Sequence, residues 1–154
     1  MDIVVNEWLP EYFRPEATRE EKLQLQAFLQ RFIERNDCMV VKEPSPFLSK
    51  ILQYANAYQQ QYEIVTPIRN FIKIVLEDSL RCRRVRQDEI GELPTSVTEI
   101  LSRPNPASDR YLFEAATSIE HQKIIVTTDA RLQAHFEDEF WCEVELLSDF
   151  LETY

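Results

Sequence analysis

Lys123-Ile124-Ile125-Val126-Thr127-Thr128-Asp129 decides how this chain is read. Ile124, Ile125 and Val126 are consecutive, apolar and β-branched, and Thr-Thr-Asp follows. That pattern is a short buried strand closing on a polar loop. Upstream, Ser108 stands where a helix cap is expected. Leu112, Ala115, Ala116 and Ile119 then recur at helical spacing. Downstream, residues 130–135 read as a short helix and Cys142 to Leu146 as a last strand. Ser148 stands as the cap of a short terminal helix. Strands that are apolar throughout, rather than alternating, belong to a parallel sheet covered on both faces.

The same alternation runs back to the N-terminus. Ile3-Val4-Val5 is a strand, and Pro10 and Pro15 break the chain beyond it. Thr18-Arg19-Glu20-Glu21 has the form of a capping box, and Leu25, Phe28, Leu29, Phe32 and Ile33 carry the helix to about Asn36. Cys38 to Val41 is the next strand. Ser45 and Pro46 open a helix with Phe47, Leu48, Ile51, Leu52 and Ala55 on its core face. Thr66-Pro67 opens another, with Ile68, Phe71, Ile72, Val75 and Leu76 inward. Arg81 to Arg86 reads as a strand with a basic face, Pro94 to Ser102 as a short helix, and residues 103–106 as a loop. The fold class is α/β, one domain over residues 1–154.

Composition narrows the chemistry. The chain has 154 residues, 44% of them hydrophobic, which is material for one core without staples. Its three cysteines form no CxxC, so neither a disulfide framework nor a zinc knuckle is expected. No apolar run is long enough to span a bilayer, and the first residues lack the pattern of a signal peptide. A reduced, cytoplasmic protein with no membrane contact is therefore expected. One glycine, Gly91, excludes phosphate-cradling glycine loops. A net charge of −10 opposes non-specific nucleic-acid binding by the whole surface, though not by a local patch.

Ligands of parallel sheets gather beyond the carboxyl ends of the strands. Asn6 and Glu7 follow the first strand, Glu43 the second, and Asp129 the strand at 123–127; Asp109 opens the helix before that strand. Convergent carboxylates repel one another unless a cation neutralises them, and hard oxygen donors suit Mg²⁺ or Mn²⁺. Each residue also has a plainer role. Asp109 complements a helix dipole, Asp129 caps the helix at 130–135, and Glu43 is a solvated loop residue. Arg81, Arg83, Arg84 and Arg86 suit a phosphate backbone, or else balance Glu77 and Asp78 on an exposed strand. From residue 137 onward there are seven acidic residues and no basic one, a stretch that repels nucleic acid. Neither His121 nor His135 has metal-ligand spacing.

Asp109-Arg110-Tyr111-Leu112-Phe113-Glu114-Ala115-Ala116, followed by Ile124 to Leu132, resembles the C-terminal signature of PIN-domain nucleases. Val144 to Leu151 is similar to that family's last strand and cap. The resemblance implies a three-layer α/β/α sandwich around a mainly parallel sheet, and RNA cleavage with Mg²⁺ or Mn²⁺. It makes Glu43, Asp109 and Asp129 the metal carboxylates, with Asn6 at the first acidic position. Asn6-Glu7-Trp8-Leu9-Pro10 also resembles a PIN-like subgroup opening with Asp-Glu-Asn-Leu-Pro. An amide brings no charge and no base, so the resemblance leaves open a catalytically weakened module that binds protein or RNA. A third alternative is a structural α/β subunit whose carboxylates are caps. Many bacterial members are toxins, which implies a small antitoxin-like protein as partner; a homodimer is a further expectation.

Overall fold

The structure, a computed structural model, describes residues 1–154. Five strands form the centre: β1 (Asp2–Val5), β2 (Cys38–Glu43), β3 (Cys82–Arg86), β4 (Ile124–Thr127) and β5 (Glu143–Leu146). All pair in parallel, in the order β3-β2-β1-β4-β5. The helices are α1 (Trp8–Tyr12), α2 (Arg19–Glu34), α3 (Pro46–Ala57), α4 (Tyr62–Phe71), α5 (Thr95–Leu101), α6 (Arg110–Ala116), α7 (Ala130–His135) and α8 (Leu147–Thr153). No helix is long and apolar enough to cross a membrane.

The helices lie on both faces, giving a three-layer α/β/α sandwich compatible with a PIN-like fold. On one face α6 lies across β2, β1 and β4. Phe113 stacks there on Phe136, just past α7, at 4.3 Å between centroids. On the other face α2 and α8 meet around Phe28, which touches Trp8, Phe32, Phe150 and Tyr154. Every residue of β4 is buried, as its apolar run requires.

Several boundaries differ from the sequence expectation. Pro10 does not break the chain; it sits in the first turn of α1, where a missing N–H costs nothing. Thr18 caps α2 by accepting from Glu21 N at 3.1 Å. That helix ends at Glu34, because Asn36 turns left-handed at φ 55°. Ser45 caps α3 with Pro46 at its first position, in agreement with the sequence. On α3, Leu52 is exposed and Tyr54 takes the inward position. α4 begins at Tyr62, so Pro67 lies inside it, and a π-helical turn (Ile72–Leu76) continues it. Ser108 caps nothing; it lies in a 3₁₀ turn (Pro106–Asp109) that runs straight into α6. Ser148 lies inside α8, which carries no side-chain cap.

Candidate functional site

The strand order reverses between β1 and β4, and the crevice beyond their carboxyl ends is where such sheets bind ligands. Val5 is in register with Val126, so the next residues, Asn6 and Thr127, emerge side by side. Asn6 Nδ2 donates to Thr127 Oγ1 at 2.6 Å. Its Oδ1 accepts from Trp8 N at 3.3 Å. Asp129 N donates to the same Thr127 hydroxyl at 3.0 Å. The Thr127 hydroxyl thus ties the exit of β1 to the loop after β4. It is fully buried, and Asn6 nearly so.

Asp129 caps α7, its Oδ1 accepting from Arg131 N at 2.8 Å and Leu132 N at 3.3 Å. Its other oxygen makes no hydrogen bond. Asp109 precedes α6 and makes no side-chain cap bond, so both of its oxygens are uncommitted. Asp109 and Asp129 line one cavity of about 120 Å³. Burial, then the charges of Asp129 and Glu7, push the Asp109 carboxyl up to about 6. The structure therefore brings Asp109, Asp129 and Glu7 into one electrostatic cluster, with Asn6 adjoining it.

Glu43 is not in that cluster. Lys42 is level with Asn6 by register, and Glu43 therefore points to the opposite face of the sheet. There it pairs with Arg84 at 3.4 Å. Lys42 itself reaches Glu114 on α6 at 3.3 Å. Glu7 joins the cluster because the chain has already left the strand: its backbone is helical, so strict strand alternation no longer applies. Lys50 of α3 lies 3.2 Å from Glu7 and 2.8 Å from Glu11. A fixed ammonium thus sits at the edge of the acidic cluster.

Tyr111, two residues past Asp109, is buried, and its hydroxyl lies near the Glu7 carboxylate without a hydrogen bond of good geometry. Burial and the nearby Glu7 and Asp109 carboxylates raise its pKa well above the usual phenol value. Helical position alone gives this residue no signal in sequence. Thr127 and Lys50 are likewise legible only once the strands and α3 are placed.

The four arginines of the basic segment do not form one patch. Arg83 binds Asp2 at 2.8 Å on the α6 side. Arg84 binds Glu43 and the Leu76 carbonyl on the other. Arg81 pairs with Asp78 at 3.5 Å, and Arg86 is exposed without an ion pair. Alternation along β3 divides them between the two faces.

No three His, Cys, Asp or Glu side chains converge as a metal cage. Asp109 and Asp129, which line one cavity, are the residues that could hold a divalent cation, since Mg²⁺ commonly takes one or two carboxylates and completes its shell with water. Family models, curated proteins and solved structures yield no match to this chain.

Proposed function

We propose that this is a PIN-like endoribonuclease that uses Mg²⁺ or Mn²⁺ and has a reduced metal site. The observation that carries the proposal is the pair Asp109 and Asp129 near the β1/β4 reversal, both lining one cavity and both with an oxygen that makes no hydrogen bond. Asp109 and Asp129 would hold the ion, which supplies polarisation of the phosphate and an activated water. Asn6 and Thr127 tie the exit of β1 to the loop that carries Asp129. Tyr111 offers a desolvated O–H donor beside it, stronger for lacking competition from water. Lys50 holds Glu7 in place and trims the negative charge that would otherwise accumulate.

Purified protein, a labelled single-stranded RNA pool and a Mn²⁺ series test this. Cleavage that needs the ion, stops with EDTA and is lost in Asp129→Asn is the expected result. Equal residual cleavage by wild type and Asp129→Asn overturns it. In the finer form of the proposal the protein is a toxin held by a small antitoxin-like protein. Expression alone then arrests growth, and Asp129→Asn relieves the arrest.

A second reading, a non-catalytic module that binds RNA or protein, is favoured by one observation. The Asn6 amide is committed at both ends, to Thr127 and to Trp8, as a structural residue would be.

A further inference from the structure

We infer that the backbone phosphates of a single-stranded RNA are held by Arg103, Arg131 and His135, and not by the arginines of β3. The inference rests on the RNA-directed function proposed above and assigns that site its substrate-holding wall. The small cavity of Asp109 and Asp129 also reaches Arg131 and His135. It shares Asn105, Arg131 and His135 with a cleft of about 570 Å³, whose charged lining is Arg103, Arg131 and Asp138 beside the His135 ring. Acid at one end and base at the other match a phosphodiester chain whose scissile group meets the carboxylates while its neighbours meet cations.

The cations here are free to act. Arg131 is exposed and makes no ion pair, and its guanidinium makes no hydrogen bond, although its backbone N–H is used by Asp129. Arg103 touches no carboxylate; its Nη1 lies 3.2 Å from His135 Nδ1. A guanidinium can only donate, so His135 Nδ1 accepts and its Nε2 carries the proton. The pair therefore presents a guanidinium charge and a ring N–H donor. By contrast, Arg81, Arg83 and Arg84 are each paired with a carboxylate; Arg86 is exposed without an ion pair, but it lies on β3, two strand positions from β1, roughly 10 Å away. On a chain whose net charge is −10, a polyanion is attracted by a local wall of unpaired cations and not by the surface as a whole.

The test is binding of a short labelled single-stranded RNA in EDTA, so that no cleavage intervenes, over a salt series. Arg131→Ala should flatten the slope of log affinity against log salt by about 0.7, and Arg103→Ala with Arg131→Ala by about 1.4. The double variant should bind about tenfold more weakly at low salt. Arg131→Lys should restore most of the slope, since phosphate attraction needs charge before fork geometry. Arg84→Ala and Arg86→Ala should bind as wild type does, and thermal melting confirms that each variant is folded. If the β3 variants weaken binding and the Arg103 and Arg131 variants do not, the inference is overturned while the proposed function stands. If wild type binds RNA through Arg103 and Arg131 yet never cleaves, the nuclease reading falls and this one survives. A wild type that binds no RNA, or prefers an acidic peptide, overturns both.

Discussion

Asp109 and Asp129 look alike in sequence and are not alike in the fold. Burial beside Asp129 and Glu7 raises Asp109 from 3.8 to about 6. Between about pH 4 and pH 6 the folded chain keeps a proton that the unfolded chain has lost, so stability falls as pH rises through that window. The penalty is complete above the folded value. Asp109→Asn should therefore stabilise the protein at pH 7, by about 1 kcal/mol once screening of the partly exposed carboxyl is allowed for. That is a rise in Tm of roughly 2–4 °C. The gain should vanish below about pH 4, and melts at several pH values check it. Asp129 is a cap, so Asp129→Asn should change stability little, whereas Asp129→Ala should cost about 1 kcal/mol. Asn6→Asp should fold: the Thr127 hydroxyl can rotate to donate to the new carboxylate while still accepting from Asp129 N. The added charge should tighten Mn²⁺ binding several-fold by titration calorimetry; unchanged affinity removes position 6 from the site.

At the scale of elements, α1 and α3 are joined through Glu11. It accepts from Lys50 Nζ at 2.8 Å, Tyr54 Oη at 2.6 Å and Arg14 Nη1 at 3.1 Å. Burial opposes its charge, but the bonds from Lys50, Tyr54 and Arg14 win and hold the carboxyl at about 2. A depressed carboxyl stabilises the fold above its unfolded value of 4.5, and that contribution is lost as pH falls toward 2. Glu11→Gln should therefore lower Tm at pH 7 and flatten the acid limb of the stability profile. The expected outcome is a wild-type advantage that shrinks steadily below pH 4.5. A constant difference across pH would assign the effect to packing instead. The sequence exposed the helical spacing of α3 but not this network. Tyr54 turns inward and Leu52 outward because α1 and α4 cover that face of α3, and periodicity does not say which side of a helix is covered.

Over the whole molecule, Asp37 is the buried carboxylate that clasps distant segments. The Met1 ammonium donates to it at 2.6 Å and Tyr154 Oη at 2.5 Å. Arg35 stacks over the Tyr154 ring at 5.0 Å. The clasp fixes β1 and α8 against the turn before β2. Asp37→Ala leaves both partners unmatched and should cost about 2 kcal/mol, read as a shift of the denaturation midpoint at unchanged slope. A loss confined to the fraying of α8 would show instead as early hydrogen exchange in residues 147–153 alone.

The sequence by itself determined the α/β class, the five strands and the parallel sheet. Runs such as Ile124-Ile125-Val126 and Met39-Val40-Val41 are apolar on both faces, and only a doubly covered sheet accommodates that. It also placed Asp129 beyond a strand's carboxyl end, because such ends follow from strand positions alone, and Asp109 at the opening of the helix before that strand, from the helical spacing that follows it. What converges there was a matter for the tertiary structure. A one-residue step sends Lys42 to the site's side of the sheet and Glu43 to the other. The bend after Val5 swings Glu7 into the cluster, and helix packing sets Lys50 and Tyr111 around it. Arg131 and His135 share α7, but Arg103 is remote from them in the chain and meets them only where α7 passes the loop before α6. Periodicity records which residues are buried in each element; which elements face one another depends on crossings and register, and those are set by the packing of the whole chain.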